Sequence, residues 1–124
     1  MVEISSGWRF EVERGPDWLF IRLHPPHGSS GEPALAEDLW NAICPNFVYR
    51  VVLEMDEVDC LHSYLVGQLV LLHKRLATHD GMLRLAGVSD HNQNVLKACR
   101  LDNRFPQYGN RADAVHGHRP TQPR

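Results

Sequence analysis

No apolar run in this sequence of 124 residues approaches the roughly 20 that a membrane-crossing helix needs, so direct membrane insertion is not expected. Met1 to Gly7 has no basic segment followed by an apolar stretch, so no secretory leader is expected and the protein is assigned to the cytoplasm. Cysteine is scarce. Cys44, Cys60 and Cys99 form an odd set without CxxC spacing, which excludes a disulfide framework and a zinc knuckle and suggests reduced core residues. The net charge is only −2 and the basic residues are scattered, so there is no electrostatic footprint for nucleic acid. GxSxG, GxGxxG and GxxxxGK are all missing, so neither catalysis nor a nucleotide cofactor is expected. His24 with His27, and His116 with His118, fall in loop or tail without cysteines or carboxylates at ligand spacing, so no metal site is expected.

What remains is the patterning of one globular domain, over residues 8–116, between an N-terminal extension (1–7) and a polar, proline-containing tail (117–124) expected to be disordered. Trp8 to Glu13 alternates apolar and polar side chains, Arg14-Gly15-Pro16-Asp17 supplies a turn, and Trp18 to Leu23 completes a hairpin. His24 to Pro33, with its prolines and glycines, reads as a loop. Leu35, Leu39 and Ile43 mark a helix over 34–44 that Pro45 stops. Tyr49 to Met55 reads as a central strand, and Leu65, Leu69, Leu72 and Leu76 mark a second helix from Ser63 to His79, closed by Asp80-Gly81. Met82 to Val88 is a strand. Ser89-Asp90 caps a helix reaching Arg100, with Val95, Leu96 and Cys99 inward. A weak strand at 105–108 and a short helix at 111–116 complete the order. Helix-linked strands run parallel, which gives an α/β fold: a small mixed sheet of about four to five strands with about four helices.

That order and three stretches of sequence resemble the STAS family, named after sulphate transporters and anti-sigma factor antagonists. Arg50-Val51-Val52-Leu53-Glu54-Met55-Asp56-Glu57-Val58-Asp59-Cys60-Leu61 resembles the family's strand and loop into its regulatory helix. Val66 to Leu76, closing on Gly81, resembles that helix. Leu101-Asp102-Asn103-Arg104-Phe105-Pro106, with Ala112 to Val115 beyond, is similar to the C-terminal "LDRLFP" passage and last helix. In antagonists of this type the loop-to-helix junction reads Asp-Ser-Ser-Gly or Asp-Ser-Thr-Gly, and the serine after the aspartate is phosphorylated. Here it reads His62-Ser63-Tyr64-Leu65, so the resemblance maps the phosphoacceptor onto Ser63, with histidine, tyrosine and leucine replacing the flanking residues.

The resemblance implies a non-enzymatic partner-switching protein in transcription regulation and signal transduction. It would sequester an anti-sigma factor of histidine-kinase-like fold through Asp56, Asp59, His62, Ser63, Tyr64, Leu65 and Gly67. A phosphate at a helix start is tolerated by the nearby backbone amides, whereas its charge of about −1.5 to −2 opposes burial against a partner. A loss of about 2.8 kcal/mol is a hundredfold in affinity. Two readings of Ser63 stand side by side: a switch, or an N-cap worth about 1 kcal/mol. His62 either replaces the missing carboxylate as a hydrogen-bonding group or is an exposed loop histidine, and Leu65 serves either the interface or the core. The alternative functions are a STAS scaffold subunit of a signalling complex without phosphoregulation, an accessory subunit of a lipid transporter, and a ligand-binding module with an apolar pocket.

Overall fold

The computed structural model describes residues 2–3, 8–25, 34–101 and 104–116. Six strands follow one another across the sheet in chain order: β1 (Val2–Glu3), β2 (Arg9–Arg14), β3 (Leu19–His24), β4 (Arg50–Glu54), β5 (Met82–Ala86) and β6 (Gln107–Tyr108). The first three are antiparallel, and β3 to β6 are parallel. Among the described residues, three helices link the parallel strands, α1 (Leu35–Ile43), α2 (Ser63–Ala77) and α3 (Asp90–Ala98), and α4 (Arg111–His116) follows β6. The mixed α/β architecture is the one expected. The sheet gains a sixth strand because Val2 and Glu3, at the start of the chain, pair with Phe10 and Arg9. The tail at 117–124 and most of the loop at 24–33 lie outside the described residues, and His24 itself ends β3.

Side-chain alternation sorts the strands into two faces. Phe10, Leu19, Ile21, Leu23, Val51, Leu53, Leu83 and Leu85 are buried in one core with Leu35, Leu39 and Ile43 of α1, the leucine stripe of α2 and Leu96 of α3. The stripe includes Leu65, 3% exposed, and Leu76, fully buried. Trp18, Val52, Ala86, Tyr108 and Ala114 form a second, smaller cluster on the opposite face, under α4. That short helix packs mainly over β4, β5 and β6. Arg84 ties it down: its guanidinium lies over the Trp18 and Tyr108 rings at 5.0 and 5.5 Å and donates to the Ala114 carbonyl at 2.5 Å. The β2–β3 half of that face carries Arg9, Glu11, Glu13, Arg22 and His24 beside Phe20, which packs against the small cluster.

Two local details set the main helix. Gln68 of α2 accepts the Ala36 amide of α1 at 2.9 Å, satisfying an amide at a helix start whose Ala34 cap makes no side-chain cap bond. At the other end of α2, Tyr49 stacks on Trp40 and His79 with centroids 5.9 and 4.7 Å away, the Trp40 and His79 rings are tilted to each other at 4.9 Å, and Arg75 lies 5.3 Å over Trp40. The helix thus meets α1 near both ends.

The cysteine expectation is corrected. Cys44 is only half-buried, in a single 3₁₀ turn (Cys44–Asn46), while Cys60 and Cys99 are exposed. Helix α3 stops at Ala98, and Cys99 is its C-cap with φ −84° and ψ 0°, past the last inward-facing turn. Cys60 lies in the loop between β4 and α2, outside the strand and helix stripes that fill the core.

Candidate partner-docking site

The loop from Met55 to His62 leaves the C-terminal end of β4 and is held by the backbone before any side chain contributes. The Met55 amide donates to Ala86 O at 2.8 Å, and the Val58 amide returns to Met55 O at 3.0 Å, making a turn. Val58 and Leu61 are buried, whereas Asp56, Glu57, Asp59 and Cys60 are exposed. The loop therefore drops two apolar anchors into the core and lifts its acidic side chains away from it.

A residue that sequence reasoning missed fixes the loop. Asn92 of α3 is fully buried; its Oδ1 accepts the Leu61 amide at 2.8 Å and its Nδ2 donates to Val58 O at 2.8 Å. The Asn92 amide donates to the Ser89 hydroxyl at 3.2 Å, the expected N-cap of α3. A polar residue within a helical stripe is the signal that could have revealed it. Gly87, at φ +69°, is a second support: a Cβ there would collide with the Asp56 carboxylate.

The expected N-cap role of Ser63 is corrected: helix α2 begins at Ser63 itself, one residue earlier than a Ser63 cap requires. The N-cap is His62, extended at φ −87° and ψ 170°, with an exposed side chain and no side-chain cap bond; its carbonyl accepts the Val66 amide at 3.0 Å. Buried Leu61 anchors the chain one residue before the cap, and Ser63 falls at the first helical position with its side chain exposed. Ser63, Gly67 and Leu71 follow at four-residue spacing up the outer side of α2. Gly67 has nothing within 4 Å of where a Cβ would stand, and Leu71 is 52% exposed. Beside them a groove of about 280 Å³ runs between α1 and α2, lined by Ala36, Glu37, Gln68, Leu71 and Arg75.

Of the expected docking residues, Asp56, Asp59, His62, Ser63 and Gly67 are exposed at this end of the molecule, and Tyr64 is half-buried. Leu65 is corrected: it belongs to the core, where it packs as part of the leucine stripe. Leu71 was missed as an exposed member.

A second polar cluster adjoins the loop. Glu54, at the end of β4, is 4% exposed and is bound by Arg22 at 3.1 Å and Arg111 at 2.5 Å; Arg111 also pairs with Glu13 and lies 4.5 Å over Phe20. His24 is held between Glu11, at 2.5 Å from Nε2, and Glu57, at 2.9 Å from Nδ1. The Glu11 hydrogen bond raises the His24 pKa above its ordinary value, against burial, and the same bond lowers that of Glu11. Among the described residues, no group of three or more His, Cys, Asp or Glu can hold a metal ion, and no helix is long and apolar enough to cross a membrane. The gap among Trp8, Leu23, Leu35, Met55, Val58, Leu65 and Leu69 has no room for a water molecule.

The fold recurs in solved structures of low sequence identity. An anti-sigma factor antagonist from Mycobacterium paratuberculosis is 18% identical, with 96% of this chain and 100% of that one covered at a TM-score of 0.73. The anti-sigma factor antagonist SpoIIAA in its unphosphorylated form is 18% identical over 88% and 97% of the two chains, with a TM-score of 0.63. A chain of the stressosome, a signal integration and transduction hub, is 11% identical over 87% and 95%, with a TM-score of 0.67. Comparison with curated protein sequences finds no match. The model of the STAS domain matches residues 9–114, which run from the first residue of β2 into α4 and include the whole loop and α2, and the chain therefore belongs to the STAS domain family.

Proposed function

We propose that this protein is a non-enzymatic, anti-sigma factor antagonist-like binding module that docks a kinase-type anti-sigma factor through the loop at 56–62 and the outer side of α2. The observation that carries this reading is the exposed line Ser63, Gly67 and Leu71 on a helix whose opposite side is locked into the core. Gly67 lets a partner approach the helix backbone, Leu71 offers apolar area beside the groove, and Asp56 and Asp59 suit basic side chains around it. Ser63 is the phosphoacceptor. A phosphate on its first-turn position sits near unpaired helix amides, so the fold tolerates it, while its charge blocks burial of the same surface. The antagonists among the fold neighbours support this reading.

The test is a pull-down from native lysate with wild type, Ser63→Ala and Ser63→Glu, with mass spectrometry of partners and of Ser63. An anti-sigma factor captured by wild type and Ser63→Ala, and lost with Ser63→Glu, supports the switch. Equal capture by all three, with no phosphate on Ser63, overturns it. That second result would favour a scaffold subunit, a reading supported by His62, which stands where the resemblance expects an aspartate and forms no side-chain cap bond.

A further inference from the structure

His24 lies at the end of β3, outside the docking surface, yet it reaches that surface's loop. Its side chain is 14% exposed, and both ring nitrogens face carboxylate oxygens: Glu11 across the hairpin and Glu57 on the loop. A neutral imidazole has one N–H donor and one lone pair, so it can satisfy only one of two carboxylates at these distances. The imidazolium has two donors and satisfies both. The surrounding charges leave the ring that role. Arg22 of β3 and Arg111 of α4 are engaged by Glu54 of β4, with Arg111 also on Glu13 of β2. Exposed Arg9 is the cross-strand neighbour of His24, and Asp56 precedes Glu57 on the loop.

We propose that His24 is a protonation-dependent pin for the docking loop, its imidazolium joining Glu57 to Glu11 and so fixing the acidic turn that precedes α2. On losing a proton the ring keeps one carboxylate and repels the other with its lone pair. Glu57 then comes away, and the turn at 55–58 retains its backbone bonds and the Asn92 clamp. For its functional consequence the inference rests on the docking reading, with weaker partner binding as pH rises, but the pin itself is read without a partner.

The experiment is a pH titration of the full chain by NMR, following the His24 ring and the backbone amides of Asp56 to Cys60 in wild type, Glu57→Gln and His24→Gln. The expected result is one shared midpoint for the ring and the loop amides in wild type. Glu57→Gln should lower the ring midpoint by about one pH unit, and His24→Gln should abolish the loop transition with the remaining spectrum intact. Loop amides that do not follow the ring, or a ring midpoint unmoved by Glu57→Gln, would overturn the pin. Because no partner is present, that failure leaves the docking proposal standing, and failed capture in the pull-down leaves the pin standing.

Discussion

Asn92 holds Leu61 from beneath, its side-chain oxygen taking the Leu61 amide at 2.8 Å two residues before α2 begins. Both groups are buried, so the bond has no water to replace it. Asn92→Ala strips the partner from the Leu61 amide and from the Val58 carbonyl. A destabilisation of about 2–4 kcal/mol is expected, read as a lower midpoint in urea. Loss under about 0.5 kcal/mol would mean that the loop finds other partners.

Ser63 at the first helical position differs energetically from Ser63 at the cap. With His62 as N-cap, Ser63→Ala should change stability by less than about 0.5 kcal/mol, while Ser89→Ala, which removes a real cap bond, should cost about 1 kcal/mol. Thermal unfolding of the two variants side by side checks the contrast.

Gly67 weakens α2 without any packing reason within the chain. Gly67→Ala should therefore stabilise the protein by about 1 kcal/mol, measured by chemical denaturation. Gly67→Arg should leave the fold intact and abolish capture of the partner, since the large side chain fills the approach to the helix. A folded Gly67→Arg that still binds would move the docking surface elsewhere.

The elements were legible because their periodicities are strong: Leu65, Leu69, Leu72 and Leu76 define α2, and Val51-Val52-Leu53 defines β4. The same periodicity shows why Leu65 could not serve the surface as well, since a side chain on the stripe faces the core. The one-residue shift at Ser63 arises from burial of Leu61, a tertiary effect with no local signature. His24 with Glu57, and Asn92 with Val58, join residues more than thirty apart in sequence. No spacing rule connects them; the parallel order of β3, β4 and β5 does.

Two histidines should give opposite pH slopes. The His24 pKa is raised in the folded state, so its contribution is full below about 6.5 and is lost as pH rises through the folded value. The His73 pKa is lowered, first by burial and then by Arg104, so its effect is the reverse: stability falls as pH drops below about 6.5. Its Nδ1 is buried without a partner, and its ring meets Phe105 edge-on at 5.6 Å. Stability measured from pH 5 to 8 should show His24→Gln weakest relative to wild type at the acid end. His73→Leu should gain on wild type there. Parallel curves for all three proteins would contradict both assignments.

Gly87 and Asp56 also bear on the order in which this sequence can change. The carboxylate occupies the space that any side chain at 87 would need, and the backbone there has a positive φ that glycine alone adopts freely. Replacing Asp56 first, by a smaller residue, removes the collision and leaves only the backbone cost; replacing Gly87 first incurs both. Exposed Asp56 can turn its carboxylate aside, so the collision is the smaller cost and the positive φ at 87 the larger, and losing Asp56 first eases a change at 87 without being required for it.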